Sequence, residues 1–472
     1  MGPTDEDDLG LPIKLGPCAN DEYRPLPLTP VVTEAVRRAR DDCDRNSRRS
    51  GLSRREFLLS TCAAATTLIA LNACTDESAP PGQKPGGSYV LPTTATTEPE
   101  AAESVLGGEE FVFDVQGHLL DFTIDPEARD APLFAANLPQ ARCGEHDAGD
   151  CFSIEKFLEE MFIRSDTSMV ALSAIPVPHE HDPLSIDVME ETRRILGALC
   201  HDDQRLLLHA KVLPTVGPLA GALAGMREVA AAHPVSAWKM YTHLPGPGWW
   251  LDDHEPGAAQ VGDAVIRQAV ELGIPRIAVH KGLAGGRYAS PVDIGPAAKR
   301  HPDVDFLVYH SGYQTGMTEG PYTAATRGQG SNRLVASVLD SGVPPNSNVY
   351  AELGSTWWQV MRNPTEAAHV LGKLLRYVGV DNVLWGTDSI FYGSPQDQIQ
   401  AFRAFQISPE LQERYSYPEL TAELKAKVLG RNAARVYDVE PVARRCEFTR
   451  TELAEIRRTL PGGNRTYGPT PT

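Results

Sequence analysis

Apolar, β-branched runs begin to alternate with helical periods at about residue 110. The strand-like runs are FVFDVQGHL from 111, MVALSAIPV from 169, RLLLHAKVLP from 205, SAWKMYTHL from 236, RIAVHKG from 276, DFLVYHSGY from 305, VYAELGSTW from 349 and NVLWGTDSI from 382. Between them SIEKFLEEMFI, IDVMEETRRILGAL, DAVIRQAVELG, PTEAAHVLGKLLRYVG and QDQIQAFRAF repeat apolar residues near i, i+3, i+4 and i+7, so each offers one buried stripe. Eight such strands, alternating with helices, predict an α/β fold in which a parallel sheet closes into a (β/α)8 TIM barrel over 109–440. A doubly wound open sheet is the competitor, but no GxGxxG follows the first strand. ELTAELKAKVLGRNAARVYDV is expected to pack outside the barrel, and 441–472 reads as a polar tail.

The N-terminal hundred residues follow another pattern. Residues 1–50 are charged and proline-rich and show no sustained period. Ser53-Arg54-Arg55-Glu56-Phe57-Leu58-Leu59 and the charge-free stretch through Ala73 resemble a twin-arginine export signal. A basic patch before a short buried helix is the structural alternative. Leu71-Asn72-Ala73-Cys74 is similar to a lipoprotein cleavage site, the alternative being an ordinary buried cysteine. The export reading divides the chain into a leader over 1–74, a flexible linker over 75–108, the barrel and the tail, with an exported, periplasmic or envelope-attached product and membrane attachment through a lipidated Cys74. Cys143 and Cys151 could close a small disulfide or stay as two thiols, and nothing reads as a CxxC zinc pair.

A formal net charge of -18 over 472 residues argues against nucleic-acid binding, because phosphate backbones would be repelled. It leaves a small-molecule substrate as the expected partner and does not speak to oligomeric state. The long segments 121–152, 243–258 and 312–332 follow the first, fourth and sixth strands, at the end of a barrel where active sites are built. HLPGPGWWLDDHEPG could be an aromatic lid or an insertion packing its own indoles.

Polar residues collect at the strand ends: His118, Lys239, His280, His310, Glu352 and Asp388. Barrel closure sets His118 beside Asp388, with His280 and His310 across the mouth. Two neutral imidazoles and a carboxylate suit a divalent cation with open positions.

DVQGHLLD, IAVHKG, FLVYHSG, NVLWGTDSI and VLGRNAARVY together resemble the metal-dependent amidohydrolase superfamily, in its amidohydrolase-related branch of hydrolases and non-oxidative decarboxylases. The resemblance spans the barrel. It implies His118, His280 and Asp388 as ligands to one divalent ion, zinc before manganese, with His310 and Asp388 as the catalytic proton carriers. Lys239 is a structural lysine or a substrate anchor. Gln116 stands where the family has the first histidine of a His-x-His pair, which leaves a weak fourth ligand, an altered metal preference or a degenerate barrel. The expected function is hydrolysis of a small carbonyl, amide or lactone substrate through metal-activated water. Decarboxylation at the same site and a non-catalytic binding barrel are the alternatives.

Overall fold

The computed structural model describes residues 10–123, 126–130, 143, 148–178, 180–201, 203–445 and 448–460. All eight expected strands form, as Phe113–Gly117, Met169–Ser173, Leu206–Val212, Val235–Tyr241, Arg276–His280, Asp305–Tyr309, Val349–Glu352 and Val383–Leu384. They lie in that order in one parallel sheet. The eighth strand meets the first through Val115 N–H to Trp385 O at 3.0 Å, Asp388 N–H to Gln116 O at 3.0 Å and Ile390 N–H to His118 O at 3.1 Å. Asp114 fastens the same seam, accepting from Thr387 N–H at 3.1 Å and from the Thr387 hydroxyl.

Strand alternation sends one set of side chains into the barrel and the other to the helices. Phe113, Val115, Met169, Ala171, Ala237, Ala278, Leu307, Tyr309, Tyr350 and Leu384 fill the interior. Trp238, Met240, Ile277, Val279, Phe306 and Val308 pack outward against helix residues such as Val265, Ile266, Ile294 and Leu334. Gly430 is fixed by this packing, since a Cβ there would sit 2.1 Å from the Phe111 carbonyl oxygen.

Residues 10–108 are folded onto the barrel. Residues 1–50 show no sustained period, yet Pro30–Arg49 is a helix, opened by Thr29 and with proline in its first turn. Its buried stripe is Val32, Ala35, Ala39, Cys43 and Asn46, small residues whose signal is lost among the arginines and aspartates around them. It packs on Thr61–Ser78, which carries the apolar run and is buried at Ala63, Ala65, Leu68, Leu71 and Cys74. The Ala73–Cys74 bond therefore lies inside a packed helix. Among the described residues no helix is long and apolar enough to cross a membrane. The stretch read as a linker carries a strand, Gly87–Tyr89, paired with Phe405–Ile407, and a helix, Pro99–Leu106. Part of the polar tail is the helix Arg450–Thr459, whose Arg457 donates to Ile163 O and Ser165 O. Cys143 and Cys151 are disulfide-bonded. Much of 121–152 lies outside the described residues. In 243–258, Trp249 and Trp250 are buried, with indole N–H groups donating to Tyr241 O and to Glu255, so that loop packs its own indoles.

Candidate active site

Lys239, His280 and Glu352 follow the interior residues Ala237, Ala278 and Tyr350 by one strand period, so all three continue the inward face toward the C-terminal mouth. His310 and Asp388 lie off that register. Their backbones take left-handed φ values of 62° and 61°, with Ser311 at 52°, a conformation that costs a non-glycine residue energy and recurs where side chains are re-aimed for function. A register irregularity between Asp114 and Gly117 does the same for Gln116 and His118.

The expected residues fall into two touching groups. His118 Nε2 lies 3.1 Å from Asp388 Oδ1, and Gln116 Nε2 lies 3.0 Å from that same oxygen and 3.3 Å from His118 Nε2. The other Asp388 oxygen accepts from the Ser355 hydroxyl at 2.5 Å. Opposite, the His280 and His310 rings are 4.5 Å apart between centroids. His310 Nδ1–H donates to Gly354 O at 2.8 Å, which fixes the tautomer and leaves a buried Nε2 lone pair without a partner. The Gln116 side-chain oxygen and His280 Nδ1 are likewise buried and unpartnered. Lone-pair donors without protons to meet them are what a cation requires, so the residues present fit a metal.

A family model described as amidohydrolase matches residues 171–439, more than half of the chain. The chain belongs to the amidohydrolase family. No curated protein matches it. Among solved structures, this amidohydrolase resembles a protein assigned as a 2-pyrone-4,6-dicarboxylic acid hydrolase from Pseudomonas putida, at 14% identity over 70% of this chain and 97% of the other, with a TM-score of 0.41. It also resembles 2,6-dihydroxybenzoate decarboxylase from Rhizobium, at 12% identity over 70% and 99% with a TM-score of 0.43. A third is 5-carboxyvanillate decarboxylase from Novosphingobium aromaticivorans, complexed with manganese and 4-hydroxy-3-methoxy-5-nitrobenzoic acid, at 14% identity over 70% and 96% with a TM-score of 0.42. At such distances substrate and chemistry are left to the site itself.

Electrostatics sort the roles in this amidohydrolase. Burial works against ionisation of Asp388, but the His118 hydrogen bond and charge, with His310 and Ser355, hold its carboxyl well below the usual range. Burial lowers His310 to about 4 and His280 well below its ordinary value, so both imidazoles are neutral at pH 7. Burial pushes Glu352 up to about 8, and as it accepts from His310 N–H at 2.9 Å and Gly354 N–H at 2.5 Å it acts on the loops rather than on a ligand. Burial also brings Lys239 down to about 7. Its Nζ has no hydrogen-bond partner and lies 3.6 Å from the Tyr309 ring centroid.

Three site residues are absent from the sequence reading. His243 sits at the end of TH after the fourth strand, its ring 4.7 Å from His280, and burial lowers it to about 3. Asn20 and Glu22 come from the segment read as a leader. Asn20 Nδ2 donates to Asp388 at 2.7 Å, and Glu22 Oε2 lies 2.5 Å from His280 Nε2. A cavity of about 220 Å³ opens here, lined by Asn20, Asp21, Glu22, His118, Tyr241, His243, Asp388 and Phe391, with Ile175 and Leu244 among its apolar walls.

Proposed function

We propose that this chain is a metal-dependent hydrolase for a small, neutral amide, ester or lactone. The observation that carries the reading is the charge of the cavity. Among the described residues it is lined by the carboxylates of Asp21, Glu22 and Asp388 and the imidazoles of His118 and His243, with no lysine or arginine. Apart from the ion itself, a substrate that must hold a carboxylate for decarboxylation finds no cationic side chain among these residues, and Asp21 beside the ion-holding carboxylates adds no attraction for an anion. A neutral carbonyl compound needs no such side chain.

His118, His280 and Asp388 are the donors that would hold the ion, with the Gln116 oxygen as a weak further donor. A divalent cation supplies Lewis acidity, polarising a carbonyl and acidifying water. The chain's own residues do the rest. His310 Nε2, neutral and free of other partners, accepts the proton lost as water attacks and returns it to the leaving group. Asp388 stays ionised because His118, Ser355 and Asn20 donate to it, so it orients donors and balances positive charge. Apolar Ile175, Leu244 and Phe391 exclude bulk water around the reacting carbonyl.

The test is a paired assay on metal-reconstituted protein. Neutral lactones, esters and amides should be hydrolysed, with carbon dioxide release from aromatic carboxylates at background. Release of carbon dioxide with no hydrolysis would reverse the assignment. His310→Ala should lower kcat by about 10²-fold or more while leaving metal content unchanged.

A further inference from the structure

We propose that residues 10–29 are a permanent part of this active site and that Glu22 supplies a carboxylate ligand to the cation held by His280. The inference rests on the metal reading above and adds a donor from outside the barrel.

The first observation is the cluster itself. Among the described residues, one group of three metal-capable side chains has its ligand atoms all within 4.8 Å of one another: Glu22, His280 and His310. Within it the Glu22 carboxylate and the His280 imidazole are donors suited to a divalent ion, and His310 stands beside them as the proton carrier. Asp388, the barrel carboxylate among the donors, is also engaged by His118, Gln116, Ser355 and Asn20, so Glu22 adds a carboxylate with fewer competing partners. The second observation is independent. His310 is fully buried, and its Nε2 has no hydrogen-bond partner. Gln116 turns its amide nitrogen toward Asp388 and His118 and offers the ion only a neutral, weakly donating oxygen, so the stronger oxygen donor is available from Glu22.

The segment that carries Glu22 is built in rather than draped. Ile13 and Ala19 are fully buried, and Cys18 is 1% exposed. Lys14 Nζ pairs with Asp397 at 3.1 Å, and its backbone N–H donates to the same carboxylate at 3.0 Å. Tyr23 meets Tyr392 hydroxyl to hydroxyl at 2.9 Å, and Tyr392 meets Ser355 at 2.7 Å, so the segment is tied through two hydroxyls to the serine that holds Asp388. On both sides of Glu22, anchors hold the carboxylate at His280.

The experiment is Mn²⁺ binding by the full-length, metal-stripped protein, read by equilibrium dialysis with elemental analysis and by electron paramagnetic resonance. Parent protein, Glu22→Gln and, as a neighbouring control, the exposed Arg24→Gln are compared, and circular dichroism checks that each is folded. About one equivalent in the parent, an affinity at least roughly tenfold weaker in Glu22→Gln with an altered manganese signal, and near-parent binding in Arg24→Gln support the proposal. Equal binding by Glu22→Gln and parent would overturn it and leave the metal reading standing. Unchanged metal affinity with tighter substrate binding in Glu22→Gln would also overturn it, since Glu22 would then be a displaceable plug. No binding of Mn²⁺ or Zn²⁺ by the parent would remove the metal reading and the proposal together. An intact mass of the protein from its native cells that excludes Glu22 would overturn it as well.

Discussion

Lys14→Met should release the N-terminal segment from the barrel while the barrel stays folded. Lys14 and Asp397 are both buried, with side chains 2% and 0% exposed and charged atoms 3.1 Å apart. At an effective dielectric of ~20 their attraction is about 5 kcal/mol, but removing both ions from water costs several kcal/mol each. The balance shows in Asp397 itself, whose carboxyl burial pushes up despite the ammonium beside it. The pair is therefore close to neutral overall, whereas taking away one partner strands a buried carboxylate at a cost of about 3–5 kcal/mol. That cost falls on the docked segment, because undocking returns Asp397 to water. At 1.4 kcal/mol per factor of ten, the docking equilibrium weakens about 100-fold or more. Hydrogen exchange by mass spectrometry is the assay: peptides within 10–29 should lose protection in Lys14→Met while barrel-strand peptides do not. The double variant Lys14→Met with Asp397→Leu should recover most of it. Unchanged protection of 10–29 in Lys14→Met, or loss only together with the strands, would refute the argument.

Other outcomes are as specific. Ser355→Ala removes a donor from Asp388, so its carboxyl should be less depressed and the stability its charge contributes should be lost at higher pH, read by acid-unfolding curves. Its sign follows from Asp388 being depressed in the fold, which places the stabilising charge above the unfolded carboxylate pKa and loses it as pH falls. Lys239→Met should stabilise the protein by a few kcal/mol at pH 6 and progressively less toward pH 10. The folded lysine titrates near 7 and the unfolded one near ~10.4, so the penalty for burying the ammonium is full below pH 7 and fades between the two values; urea titrations across that range measure it. Gly430→Ala drives a methyl group into the rigid Phe111 carbonyl and should cost about 3 kcal/mol or more in urea unfolding.

The barrel was legible because its strands are long apolar runs with polar ends, and period-two alternation carries Ala278 to His280 and Tyr350 to Glu352. The seam and site geometry were legible only in outline. His118 and Asp388 are neighbours through closure, which strand order gives, but the turn of His310 into the mouth depends on left-handed backbone at His310 and Ser311, which no periodicity reports. The N-terminal contribution was hidden for a different reason. NDEYRP reads as solvated loop, and the helix after it buries alanines and a cysteine, whose small apolar area gives little pattern against RRARDD. Asn20 and Glu22 gain meaning only from Asp388 and His280, more than 250 residues away.

The proposed metal site at the barrel mouth is completed from the N-terminal segment. Anomalous diffraction from a manganese-soaked crystal of the full-length protein tests it most directly. One strong peak is expected within bonding distance of His280 and Glu22. A peak bonded to His118 and Asp388 with Glu22 turned away, or no peak at the mouth, would contradict it.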